Sequence, residues 1–516
     1  MILWWIKKDF RVSDNPALSH ALQADEPVLA IFILEPSAMQ ALDTSARHVD
    51  AQLQAFKYLR RVVRACGGEC CLIHDEVIPA LDRLKDLAPQ LSSITSHEEI
   101  GFLRTYERDK AVQRWCDKHA VIWTELAQTG VIRRLRDRDK RTELWREWMS
   151  DGPLVAPTDD KLRALRVPEP IMALWPGHQR RWSARDYGCK QATPLTETAT
   201  RKCQPVSEVS ARKVLRDFLD HRSIAYSGGI SSPNTAFRAG SRLSVHLAWG
   251  TITGREVYQH ITDRLAELKD DNSVQSKQLK KSLRAFLSRL HWRDHFIQRL
   301  ESAPDMELRP LNTAYEALST NDNAEYLDAW IAGRTGFPMV DACIRCAHTT
   351  GFLNFRMRCL ITSTAVHSLR LDWRDILWPM AQWWTDYEPG IHVAQLQMQS
   401  GVVGINTLRV YSPAKQMADH DPDARFIRRW IPELADVPVE TILSHQANPT
   451  SAYIQPLVNW SEATAAMKAD YYAIRRSAVT KKLAEGVLDK HGSRKPASAR
   501  KRTSGRRSKK TSANTA

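Results

Sequence analysis

No apolar run in the 516-residue chain approaches the roughly 18 residues of a membrane-spanning helix, so no membrane span is expected. The opening MILWWIKKDF has an apolar stretch too short for a secretory signal, and its basic residues follow that stretch instead of preceding it. It reads as a first strand. Cysteine is sparse and unpatterned: nine, an odd number, without regular spacing. That argues against a disulfide framework and for reduced thiols in the cytoplasm. Cys343 and Cys346 form a lone CxxC, so they read as core residues and no metal site is expected. Acid is missing from one stretch. Ten of the 74 basic residues fall between positions 490 and 510, where no acidic residue stands; without them the formal charge of +15 falls to +5. The body is only mildly basic, so any nucleic-acid contact there must come from local patches.

What the chain has in excess is tryptophan, at seventeen residues. Most are expected as large core side chains, leaving some for base stacking or electron transfer. Residues 1–130 alternate short apolar runs (2–6, 28–34, 69–74, 92–96, 121–126) with helix-like stretches. That alternation implies a doubly wound parallel sheet in an α/β N-terminal domain. Residues 131–204 have weak periodicity and read as a connector across the surface. Residues 205–475 carry recurring helical periodicity and few strand-like runs, which predicts an all-α domain. From about 487 to 516 the chain is Lys, Arg, Ser, Thr and Ala with little apolar content, and a disordered basic tail is expected. Such a tail can bind phosphates through counterion release.

WWIKKDFRVSDNPAL at the N-terminus resembles the opening of photolyases. Further stretches follow in the family's order: GSRLSVHLAWG (240–250), HWRDHF (291–296), GRTGFPMVDACIRCAHTTGFLNFRMR (333–358) and LDWRDILWPMAQWWTDYEPG (371–390). YSPAKQ and FIRRWIPEL come next, so the resemblance to the photolyase/cryptochrome family covers roughly residues 1–435. It implies FAD held in the helical domain. Tyr226, Ser241, Arg242, Leu243 and Ser244 fall in the segments that hold the dinucleotide, with Arg293 and Glu388 further along. Ser241 and Ser244 have two readings, donors to a pyrophosphate at a helix start or plain helix caps. Arg358 and Asp386 match a charged pair beside the flavin ring, where the protein's field tunes the cofactor; in isolation they would read as an interhelical salt bridge. Trp292 matches a tryptophan that lines the substrate cavity and stacks on a base. A folate or deazaflavin antenna is allowed by the family but unsupported here, since Glu107, the nearest match to a folate ligand, reads as exposed helix surface.

Several positions depart from the pattern. The glutamate three residues before the family's Trp-Arg is Arg289, a fixed cation with forked donors. The asparagine facing the flavin is His392, read either as a group that gates flavin protonation or as a structural histidine. Of the usual three tryptophans for flavin reduction only Trp373 is kept; Leu396 and Thr320 occupy the other places. Trp378, Trp383 and Trp384 cluster nearby as another route. Phe355 and Cys359 replace lesion-facing residues, which argues against six-four repair, and no cysteine follows Cys359, which argues against the iron–sulphur branch.

The resemblance implies light-driven electron transfer to a cyclobutane pyrimidine dimer flipped out of UV-damaged DNA, and the departures leave single-stranded DNA open as a substrate. Trp292 would pack on the lesion, Arg289 and Asn354 would offer polar contacts, and His392 would tune the flavin. The alternative is a cryptochrome-like photoreceptor without repair. A monomer in the cytoplasm, associated with the nucleoid through DNA, is expected.

Overall fold

The computed structural model describes residues 1–24, 26–175, 177–189 and 204–492. Five strands, β1 (Ile2–Ile6), β2 (Val28–Leu34), β3 (Cys71–His74), β4 (Ser93–His97) and β5 (Ile122–Leu126), form one parallel sheet in the order β3-β2-β1-β4-β5. Alternate residues of the inner strands enter two separate cores. Trp4, Ile6, Ala30 and Phe32 pack against α1 (Pro16–Ala21) and α2 (Ala46–Ala65). Leu3, Trp5, Leu29 and Ile31 pack against α3 (Val77–Leu87) and α4 (Leu103–His119). A sheet covered on both faces is why β1 and β2 read as unbroken apolar runs.

The expected connector is not idle. α5 (Arg141–Ser150) buries Trp145 and Met149 in the helical core, while Leu162, Leu165, Ile171 and Trp175 fill the sheet's two cores. Residues 190–203 of it lie outside the described residues.

The remainder is helical. The helices that place the site are α6 (Gly254–Glu267), α7 (Val274–Ser302), α8 (Pro338–Thr350), α9 (Phe355–Ser363), α10 (Trp373–Trp383), α11 (Pro389–Gln399) and α12 (Ala478–His491). α12 is a departure from the expected tail. It continues through His491 because Val487 and His491 are buried and its last carbonyls meet arginines of other elements. The rest of the tail, from 493, lies outside the described residues. No helix among the described residues is long and apolar enough to cross a membrane.

Two close approaches fix the frame. Gly250, at φ +63°, seats the sheet domain against the helices: a Cβ there would lie 1.7 Å from the Lys8 carbonyl oxygen. The Arg11 guanidinium donates to the Gly250 carbonyl at 2.8 Å, and Asp14 pairs with Arg255. Gly390, in the first turn of α11, lets that helix cross α7, since a Cβ would meet Ile297 Cα at 2.7 Å.

Candidate functional site

α9 begins immediately after Asn354, and α10 ends at Trp383. The five residues from Trp384 to Glu388 then turn the chain into α11, which Pro389 starts at a position where its missing N–H costs nothing. This brings Asp386 opposite Arg358. One Arg358 nitrogen lies 2.8 and 3.1 Å from the two Asp386 oxygens, its Nε donates to the Leu353 carbonyl at 2.8 Å, and the guanidinium sits 4.1 Å over the Trp384 ring. Three contacts of different kinds hold one cation in place.

His392, one turn into α11, donates from Nε2 to the Leu377 carbonyl at 2.8 Å. A carbonyl can only accept, so the proton of the neutral ring is on Nε2 and Nδ1 is an acceptor. Burial pushes His392 down to about 4, against the opposing Leu377 hydrogen bond. The ring is therefore neutral at neutral pH, and of the two readings of His392 this hydrogen bond and its burial favour the structural histidine. Arg358, Asp386, Glu388 and His392 line one cavity of about 80 Å³ together with Phe355, Cys359, Trp384, Gln395 and Leu396. Burial raises the Glu388 carboxyl, while Lys8 and Arg293 oppose the shift; Arg293 lies 3.5 Å from Glu388 and donates to the Leu247 carbonyl at 2.9 Å.

Next to this cavity Arg242 takes a left-handed conformation at φ +62° and is sandwiched between Phe237 and Phe352, 4.4 and 4.2 Å from the ring centres. Burial lowers it to about 10, with Asp386 the main opposing charge. Leu243 is wholly buried, so only its backbone can serve a ligand. Ser244 is exposed at the start of the one-turn helix Ser244–Ala248, and Ser241 Oγ accepts from the Leu243 N–H at 3.4 Å. Three polar atoms in this region are buried with no partner: Gln395 Oε1, Asn354 Oδ1 and Arg242 Nη1.

Some expected residues sit apart from the cavity. Tyr226 and Trp292 are not among its lining residues. Tyr226 is buried and pushed up to about 12 by burial, and the Arg289 guanidinium beside its hydroxyl opposes that shift. Arg289 itself is exposed. Trp292 packs on the helical core and contacts His295 and Phe296 edge-on and tilted, at 5.0 and 5.5 Å. The Asn354 amide N–H groups are spent on the Ile230 and Ser231 carbonyls, which ties the start of α9 to the segment around 230–231. Among the tryptophans, Trp384 lines the cavity and its ring lies 6.0 Å from Trp383, which lies 5.1 Å from Trp330. Trp373 and Trp378 make no ring contact with that run; Trp378 instead meets Phe102 edge-on. Trp330 was missed from sequence because its helix, Ala324–Ile331, is remote in the chain. Gln395 was missed too, although it is one turn beyond His392. Glu107 is exposed and pairs with Lys110, as its reading as helix surface expected.

Two further cavities flank this region. One of about 110 Å³ lies at the C-terminal edge of β1 and β2 among Trp5, Glu35, His48, Glu99, Arg108 and Tyr387. Another, of about 480 Å³, is walled by Asn234, Arg238, His420, Arg425 and Arg429. Phe355, on the wall of the central cavity, is 52% exposed, so the cavity opens outward at that ring.

A parallel-sheet domain packed on a helical domain, with Arg358, Asp386, His392 and Gln395 on the wall of one cavity, is an architecture suited to a bound cofactor. Comparison with known proteins says which class. The family described as DNA photolyase matches residues 2–137, and the FAD binding domain of DNA photolyase matches residues 286–473. The chain is 25% identical over 455 residues to a deoxyribodipyrimidine photo-lyase of Alkalihalophilus pseudofirmus, covering 84% of this chain and 88% of that one. It is equally 25% identical to cryptochrome-2 of Arabidopsis thaliana, over 85% and 71% of the two chains. Among solved structures, a class III photolyase from Agrobacterium tumefaciens superposes with a TM-score of 0.76 at 21% identity, covering 92% and 98%. A Synechocystis cryptochrome gives 0.74 at 17%, covering 91% and 98%. The chain belongs to the photolyase/cryptochrome family and carries its FAD-binding domain. The residues present fit that cofactor: the unpartnered Gln395 oxygen, a fixed guanidinium–carboxylate pair and a neutral imidazole acceptor line the cavity, and Arg242 keeps an unpartnered donor outside it.

Proposed function

We propose that the protein is a light-driven DNA repair flavoprotein that splits cyclobutane pyrimidine dimers. When bound, FAD supplies the light absorption and the transferred electron. The observation that supports this reading most is the Arg358–Asp386 pair at the wall of a cavity that opens to solvent beside Phe355. In that arrangement Arg358, Asp386 and His392 hold the flavin ring: the guanidinium sets a positive field, Asp386 keeps it aligned, and His392 presents Nδ1 as an acceptor that stays uncharged. Arg242 and the backbone around Leu243 and Ser244 supply donors for the phosphates.

DNA would approach over Phe355, with Arg238, Arg425 and Arg429 beside the neighbouring cavity neutralising phosphates. A flipped base would then enter against Phe355 in place of the stacking first assigned to Trp292. Arg289, beside Tyr226 and open to solvent, would contact the backbone or a base carbonyl. Electrons that reduce the cofactor would run through Trp384, Trp383 and Trp330.

A photoreceptor without repair is the second reading. Arg289 favours it, because no carboxyl stands where the family's repair enzymes usually place one. Blue-light treatment of dimer-containing oligonucleotides, single- and double-stranded, with reductant present, separates the two. Restored thymines measured by chromatography support repair. Intact dimers alongside normal flavin photoreduction support the photoreceptor.

A further inference from the structure

α7 presents three stripes. Arg289, Arg293 and Ile297 face Tyr226, Glu388 and Gly390 on the flavin side. Trp292, Phe296 and Leu300 enter the helical core. His291, His295 and Arg299, each four residues from the next, face the other way. There they meet Arg138, Arg141 at the start of α5, and the C-terminal end of α12.

This seam gathers three guanidiniums and three imidazoles. Arg138 donates to His295 Nδ1 at 2.8 Å and Arg141 donates to His291 Nε2 at 2.9 Å. A guanidinium cannot accept, so both rings are neutral and carry their protons on the opposite nitrogens. Burial, reinforced by the arginines, pushes His291 down to about 4, His491 to about 3, and His295 further still. Asp294, beside Arg293 on α7, is already engaged: Trp145 Nε1 donates to one oxygen at 2.9 Å and Arg293 to the other at 2.8 Å. The last carbonyls of α12 also face the seam: His491 accepts from Arg299 Nε and Gly492 from Arg138 Nε, each at a long 3.4 Å.

After these contacts, Arg141 Nε, Arg299 Nη1, His295 Nε2 and His491 Nδ1 remain buried without a partner. Their residues are 2, 3, 1 and 3% exposed. Neither Arg141 nor Arg299 makes an ion pair among the described residues. Buried guanidiniums with spare donors and no carboxylate are the complement of an oxyanion.

We infer that this seam binds a small tetrahedral oxyanion of the phosphate class, held by Arg141 and Arg299 with His295 donating from Nε2. The covering of α12 restricts the occupant to a free anion, because a phosphodiester in a nucleic acid cannot reach donors so deeply buried. The site lies on the face of α7 turned away from the proposed flavin cavity. Its occupant would bridge α5, α7 and α12 and fix the chain's last described helix.

The test uses the full-length protein and inorganic phosphate as probe, with sulfate and chloride at matched ionic strength. Calorimetric titration is expected to saturate at one phosphate per chain and thermal unfolding to shift upward, since the ligand binds only the folded state. Arg299→Gln and Arg141→Gln should each weaken binding at least tenfold while FAD content stays unchanged. Competition by sulfate identifies a general tetrahedral anion site and supports the inference. Displacement of the bound phosphate by a 5′-phosphorylated oligonucleotide would place the site on the DNA surface and overturn it. So would chloride matching phosphate, absence of saturation, or full affinity in both variants. If the variants fail to fold, the wild-type titration alone decides.

Discussion

Replacing Asp386 by Asn isolates the charge that organises the cavity. The side chain keeps its size and one acceptor oxygen, but Arg358 loses its counter-charge, and Arg242 loses its main opposing charge as well. Breaking a fully buried ion pair costs about 3–5 kcal/mol, whereas an exposed pair is worth about 0–1 kcal/mol. Arg358 and Asp386 are 24 and 11% exposed, nearer the buried limit. Arg358 also keeps the Leu353 carbonyl and the Trp384 ring, and Asn can still accept one bond, so a loss of about 2 kcal/mol follows, between those limits. Urea unfolding of wild type and variant, both freed of FAD so that ligand binding does not add to the difference, is the assay, and the midpoint should fall with the slope unchanged. A double-mutant cycle with Arg358→Met, which retains an apolar contact with Trp384, should give a coupling of about 1–2 kcal/mol. Asp386→Asn unfolding within 0.5 kcal/mol of wild type, or a coupling of about zero, would refute the pair as the cavity's organiser.

Acid should destabilise the protein in a defined window. Burial holds His48, His246 and His392 near about 4, whereas the unfolded chain takes up these protons below about 6.5, so stability is present above 6.5 and is lost as pH falls toward 4. His392→Asn should reduce that slope by about one proton, or about 1.4 kcal/mol per pH unit; an unchanged slope in pH-dependent unfolding would contradict a buried neutral His392. Gly390→Ala should cost about 1–3 kcal/mol by forcing α11 off α7, and a variant as stable as wild type by calorimetry would show that the crossing can relax. Trp384→Phe should slow flavin photoreduction at least tenfold while Trp373→Phe leaves it within twofold; the reverse order in stopped illumination would return the electron route to the family's usual position.

Much of the fold was legible because burial of both sheet faces leaves a plain trace in sequence. β1 and β2 fall where the apolar runs predict. β3 starts two residues late, at Cys71, because Glu69 is taken by Arg60 and Arg64 and its N–H by the Leu165 carbonyl. The connector was harder to read. Its helices of four to six residues, such as Asp159–Arg163, are too short to form on propensity and exist through tertiary packing. The last turn of α12, 487–491, reads as tail because the residues after it are almost wholly polar and basic, and the arginines that capture its end come from α7 and from Arg138, far away in the chain. At the site, Arg358, Asp386, Glu388 and His392 were legible only through the family resemblance, since each alone is an ordinary salt bridge or core histidine. The charge state of His392 depends on its burial against Leu377, and which residues Trp292 meets depends on how α7 rotates. Neither has a local signature.

The account rests on flavin held between α9 and α11, and direct quantitation tests it. FAD released by denaturation from purified protein, or taken up on reconstitution, should reach one equivalent per chain and fall well below that in Asp386→Asn. A colourless wild-type protein that takes up no FAD would contradict it.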